Sequence, residues 1–142
     1  MREIEFRGIL VSNKEWVYGD LLQPFKINDN PVYYILDYSK FDYDCFEHIG
    51  EVADRFEVIP ETVGQFTNWC DINMKKVYEG DYLKVYDTLH NVSFSGYVSY
   101  AKGSFVIVGD NDMIHYRWYD YSIEKIGDIH TNPGLLEVIP DE

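Results

Sequence analysis

Cationic residues are scarce: 12 Lys and Arg stand against 25 Asp and Glu in 142 residues, for a formal charge of −13. A protein that grips a nucleic-acid backbone needs a basic stripe to displace counterions, so nucleic acid is not an expected partner. Cysteine is scarcer still. Cys45 and Cys70 form neither a CxxC redox pair nor a zinc half-site, and their unlike contexts favour two free, partly buried thiols over a disulfide. No run of 18 apolar residues occurs without a charge, and the opening MREIEFRGIL has no apolar core behind a basic end. Neither membrane insertion nor signal-directed secretion is expected, which places the chain in a reducing cytoplasm. His48, His90, His115 and His130 are dispersed without HxxxH or CxxH spacing, and neither a Gly-rich phosphate loop nor a nucleophile elbow is present. No metal or cofactor is therefore expected.

Aromatic residues are plentiful. Thirteen Tyr, eight Phe and three Trp need burial, and with 46% hydrophobic residues the chain is folded despite its charge. A chain of this length is expected to form a single domain burying roughly 70% of its unfolded surface. Its dominant pattern is period two, the mark of half-buried strands. Ile4, Phe6, Gly8 and Leu10 fall on one face with Glu3, Glu5 and Arg7 on the other, and a turn at Ser12-Asn13-Lys14 leads into Glu15–Leu22 as a hairpin. Val32–Leu36 follows as a strand. Val92, Phe94, Gly96, Val98 and Tyr100 alternate with Ser93, Ser95, Tyr97 and Ser99. Compact turns at Ala101–Ser104 and Gly109–Asp112 then lead into strands, the second from Met113 to Tyr121. Successive strands joined by such turns pair antiparallel, as a meander that can close into a small barrel. The fold class is therefore mainly β, with little helix.

Two segments compete for helix. Over residues 39–49, helical spacing from Phe41 and a Ser39/Asp42 capping pattern stand evenly against an irregular acidic loop. Asn132-Pro133 forms a good N-terminal signal for a short helix over Pro133–Val138.

Candidate chemistry is thin. Asp37, Asp42, Asp44 and Glu47 form an acidic cluster without the remainder of a calcium loop, so a solvated face is favoured over a metal site. Glu79 and Asp81 would share one face of a strand, as paired catalytic carboxylates could. The stronger reading makes Glu79-Gly80-Asp81 a turn that starts a strand, its carboxylates accepting local N–H groups. No catalytic residue is assigned. Gln65 and Thr67 flank Phe66 on the opposite face, where cross-strand hydrogen bonding is favoured over ligand contact. Along His115–Tyr121, Tyr116 and Trp118 fall on one face and His115, Arg117, Tyr119 and Tyr121 on the other. That second strip of Tyr and Arg is the candidate binding surface, suited to a protein interface or self-association.

The segments Thr62-Val63-Gly64-Gln65-Phe66-Thr67, Asp71-Ile72-Asn73 and Lys76-Val77-Tyr78-Glu79-Gly80-Asp81 resemble the signature of the YopX family of phage and prophage proteins. There a Gly-Gln-aromatic-Thr-Gly strand leads through an Asp-Lys-Asn-Gly turn into a Tyr-Glu-Gly-Asp strand. Met1–Ile4 with Phe6-Arg7, and Glu124–Ile129 followed by Asn132-Pro133 and Leu135-Leu136, are similar to the family's two ends. The resemblance implies a mainly β fold with an SH3-like barrel, here placed at about residues 78–130 with the N-terminal hairpin and central strands packed on it. It implies no assigned activity, and Gly64, Gln65, Phe66, Thr67, Tyr78, Glu79, Gly80 and Asp81 as structural motif residues. Two positions depart from the pattern: Asn68 replaces a glycine, and Asn73-Met74 replaces Asn-Gly. A wider turn is expected at Asp71–Lys75, with Asn73 as the left-handed residue. The functional expectation is a non-catalytic accessory protein of a phage or prophage. It would act in the host cytoplasm through self-association or through a host or phage protein. The competing expectation is an acidic decoy for a basic host factor.

Overall fold

The computed structural model describes residues 2–27, 30–40 and 55–133. The chain divides into two compact units, Met1–Gln65 and Phe66–Glu142. Among the described residues the structure is antiparallel β joined by turns and single 3₁₀ turns, with no helix long and apolar enough to cross a membrane. The segment 41–54, with Cys45, His48 and three of the clustered acids, lies outside the described residues, as does Pro133–Val138 beyond its first residue.

The first unit is built on strands β1 (Phe6–Ile9), β2 (Trp16–Ile27), β3 (Asn30–Leu36) and β4 (Glu57–Val58). The expected hairpin forms, with Phe6 opposite Gly19 and Ile9 opposite Trp16. Its turn closes where the Lys14 amide donates to Leu10 O, Lys14 itself adopting φ 63°. β2 continues into a pairing with β3, and β3 pairs with β4. Beyond β4 the Val11 amide donates to Glu57 O and the Ile59 amide to Ile9 O, tying β4 back to the end of β1. Val17, Ile35, Phe56, Val58 and Leu10 form the core. Fully burying each such side chain is worth about 1.5–3 kcal/mol.

Arg7 departs from the expected wet face, being almost fully buried. Its guanidinium lies 4.2 Å from the centroid of the Trp16 ring. An aromatic face accepts a guanidinium plane, and the aliphatic stem of Arg packs like a hydrophobe, so period two misassigned this position. Ile4, expected inside, is exposed and precedes the strand.

Strand β5 (Gly64–Cys70) begins in the first unit, where Gly64 and Gln65 pair with β1, and continues into the second, where it pairs with β6 (Lys76–Tyr78). The second unit then runs through β7 (Asp81–Asp87), β8 (Val92–Ala101), β9 (Ser104–Val108), β10 (Ile114–His115) and β11 (Ser122–Asp128). These form a five-stranded antiparallel sheet in the order β10-β9-β8-β7-β11. Leu83 opposite Gly96 and Val85 opposite Phe94 place one face of β7 and β8 on the core of Val77, Leu83, Val85, Val98, Ile107, Trp118 and Ile123. The period-two reading of β8 holds except at Tyr100, whose exposed ring meets Phe105 edge-on at 5.3 Å. Lys102 and Gly103 join β8 to β9 with φ 51° and 82°, a two-residue turn whose twist matches its strands.

The turn between β5 and β6 corrects the sequence reading. Met74, not Asn73, takes the left-handed conformation, with φ 63°. The cause is Asp71: its Oδ1 accepts the amides of Asn73 and Lys75, while its carbonyl accepts the Met74 amide. Those bonds hold Asn73 in the turn and push the positive φ one residue on. Asn68, the other departure from the family's glycines, also has positive φ, 71°. Asn tolerates that region and Met does not. Met74 is 80% exposed, so its side chain contributes no burial there. Met74→Gly is expected to raise stability by about 0.5–1 kcal/mol in urea denaturation, the relief of strain exceeding glycine's entropy cost. Asn68→Gly should change little.

Candidate interaction site: an exposed ring stack

The segment 113–121 is not one continuous strand. Asn111 and Asp112 both have positive φ, β10 pairs with β9 only at Ile114 and His115, and Trp118–Asp120 then forms a 3₁₀ turn. The turn exists because Trp118 is driven into the core, where it is 1% exposed and donates its Nε1–H to Phe105 O at 3.0 Å. The four residues expected on one strip are consequently split. His115 stacks on Phe94 with ring centroids 3.8 Å apart, and Tyr121 meets Phe94 edge-on at 6.3 Å. Burial lowers the His115 pKa, favouring the neutral ring. Arg117 and Tyr119 remain exposed.

Tyr119 has a partner that the spacing of residues did not reveal. Trp69, near the end of β5, lies parallel to it with centroids 5.5 Å apart and planes 8° apart. Trp69 is 45% exposed and Tyr119 43%. Trp118 stands edge-on to both, at 6.4 Å from Trp69 and 6.2 Å from Tyr119. Two exposed rings are thus propped on a buried third. Strict alternation would place Trp69 with buried Thr67, but the register between β5 and β6 shifts between Phe66 and Cys70, where left-handed Asn68 breaks the period. Cys70, next along, is an exposed free thiol rather than the partly buried one expected.

The motif residues of the second unit form a polar node beneath this surface strand. Thr67 is buried and donates its hydroxyl to Val77 O at 2.8 Å, while the Phe66 and Tyr78 rings lie 5.5 Å apart. Gly80, with φ 91°, donates its amide to Val98 O and accepts the Ile129 amide. A Cβ on Gly80 would lie 3.2 Å from His130 Nε2. Asp81 is fully buried: its Oδ2 accepts the Tyr78 amide at 2.7 Å and lies 3.2 Å from Lys125 Nζ. That is a turn's architecture, and it engages one carboxylate of the supposed catalytic pair in holding β6 to β7 and β11. Glu79 is half-buried. In the first unit, Gly64 and Gln65 occupy the register opposite Arg7 and Phe6, and Thr62 accepts the Ile9 amide through its hydroxyl.

Asp71 serves the same node. Besides its own turn, its Oδ2 accepts the Lys125 amide, and the Ile72 amide donates to Ile123 O, so the 71–72 segment covers the outer edge of β11. Burial pushes its carboxyl upward, but the amides of Lys125, Lys75 and Asn73 and the Lys75 charge outweigh it and hold the pKa below its ordinary value. A depressed carboxyl contributes stability above its unfolded pKa that is lost as pH falls through the folded value. The melting-temperature gap between wild type and Asp71→Asn is therefore expected to be full near neutrality and to close below about pH 4. An unchanged gap in acid would count against this role.

Elsewhere His90 Nδ1 pairs with Asp87 at the surface, Asp128 accepts the His130 and Thr131 amides, and Asp37 caps Ser39. Among the described residues no three His, Cys, Asp or Glu side chains cluster in a way that could hold a metal ion.

The crystal structure of protein EF1440 from Enterococcus faecalis is similar over 96% of this chain and 99% of its own, with 21% identity and a TM-score of 0.51. At that identity the likeness concerns the fold. No curated protein matches. The profile described as YopX protein matches residues 5–137, from the β1 hairpin through the Thr62–Asp81 motif to the C-terminal segment. The chain belongs to the YopX family.

Proposed function

We propose that this protein is a non-catalytic contact module that binds another protein or a second copy of itself through the Trp69–Tyr119 surface. The observation that carries the reading is the stack itself, two large rings each more than two-fifths exposed yet held rigid by Trp118. Tyr and Trp supply contact area at low entropic cost, which is why they anchor protein interfaces. The engagement of Asp81 in the turn node speaks against a paired-carboxylate reaction.

We also read the second unit as an SH3-like small barrel. Its strand order places the last strand beside the first, followed by the second, third and fourth, and a single 3₁₀ turn precedes the last strand. A role in phage or prophage biology, in the host cytoplasm, is the setting this family membership suggests.

Light scattering after size exclusion tests the self-association arm. Wild type is expected to gain mass with concentration, and Trp69→Ala or Tyr119→Ala to remain monomeric. A wild type that stays monomeric throughout overturns that arm, and an oligomer unaffected by either substitution removes the surface from the reading.

A further inference from the structure

The Trp69–Tyr119 surface also carries a chemical preference, an inference that rests on its being a contact surface at all. Aromatic ring faces are electronegative, while their edges are positive. Exposed rings therefore accept either another apolar group or a cation, and the charges around them decide which. Tyr119 sits in a segment whose exposed charges are Asp110, Asp112 and Asp120 against the single cation Arg117. The chain as a whole carries −13. An anionic partner side chain would meet repulsion, and a purely apolar one would desolvate that acidic rim without compensation.

A cation gains from both the rings and the rim. Between the two cationic side chains the geometry favours arginine. The exposed rings are parallel to within 8° and edge-supported by Trp118, giving a flat, fixed platform. A guanidinium is planar, weakly hydrated and stacks on aromatic faces, whereas an ammonium is a compact and strongly hydrated point charge. The chain already uses this pairing within its first unit, where Arg7 lies over Trp16 at 4.2 Å. We infer that the Trp69–Tyr119 stack is a docking platform for an exposed arginine of a basic partner protein, with the acidic 110–120 segment supplying its charge complement.

The test uses the full-length protein and short capped glycine-spaced peptides carrying arginine, lysine, citrulline or glutamate. Each is titrated into isotopically labelled protein while the Trp69 indole and Tyr119 resonances are followed. The arginine peptide is expected to shift those resonances, to weaken as salt is raised, and to bind several-fold better than the lysine peptide. Trp69→Ala and Tyr119→Leu, both at exposed positions and checked for folding by circular dichroism, should each weaken it about tenfold.

Three results would overturn the inference. The citrulline peptide binding as well as arginine would show that flatness suffices without charge. Glutamate binding better would invert the electrostatics. No peptide shifting the two resonances at millimolar concentration would remove the platform's preference altogether. If self-association still depends on Trp69 while no arginine peptide binds, the contact-module reading stands and only the arginine assignment falls.

Discussion

Trp118→Ala should destabilise the protein by about 3–5 kcal/mol, the range for emptying a buried aromatic site. Trp118 is the largest fully buried side chain, packed with Val77, Leu83, Val85, Val98, Ile107 and Ile123. Its indole also satisfies Phe105 O, so truncation removes volume and a hydrogen bond together. Trp118→Phe separates the two. Keeping an aromatic ring while losing the Nε1–H should cost about 1–3 kcal/mol, the desolvation penalty of the abandoned carbonyl together with the smaller volume. Near-UV circular dichroism gives a second readout: because Trp69 and Tyr119 rest edge-on against Trp118, the aromatic signal should collapse in Trp118→Ala and largely persist in Trp118→Phe. A stable Trp118→Ala with an intact aromatic signal would refute the proposed support.

The second large effect is expected at the ion pair inside the motif. Lys125→Met leaves the fully buried Asp81 carboxylate without its ammonium and should cost about 3–5 kcal/mol, as removing one member of a buried pair generally does. Lys125 is partly exposed, which places the expectation toward the lower end. Asp81→Asn in the same chain removes the stranded charge, so the double variant should recover much of the loss. The Tyr78 amide keeps an acceptor in the asparagine oxygen. The midpoint of urea unfolding measures all three variants. If Lys125→Met alone moves stability by less than about 0.5 kcal/mol, the pair is no more than a surface contact.

Much of this fold could be read from residues alone where one period and one turn chemistry dominated. In β8 the serines alternate with Phe94, Gly96 and Val98, and the burial follows. Lys102-Gly103 and the Glu79-Gly80-Asp81 turn were placed by their glycines, both with positive φ. The failures share a different cause, namely a side chain reaching beyond its own strand. Asp71 reset the turn that Asn73 was expected to make. Trp118 bent a presumed strand by entering the core, which dispersed the predicted His115, Arg117, Tyr119 and Tyr121 strip. Arg7 was hidden under Trp16. The Trp69–Tyr119 contact joins residues fifty positions apart, and no local periodicity encodes a pair at that separation. Of the expected surface, Tyr119 and Arg117 remain exposed, and the missing partner was Trp69.

The hydrogen bonds that Asp71, Ile72 and Trp118 make to strand backbones have a consequence for how this molecule meets its neighbours. Trp118 occupies the Phe105 carbonyl beside β9, and Asp71 with Ile72 occupies the Lys125 amide and Ile123 carbonyl beside β11. A ladder whose outer rungs are taken by side chains and a turn offers little template for a foreign strand. Crowded copies are thereby steered away from fibril growth by strand addition and toward contacts made by side chains. Loosening either seal would trade a specific encounter for an indiscriminate one.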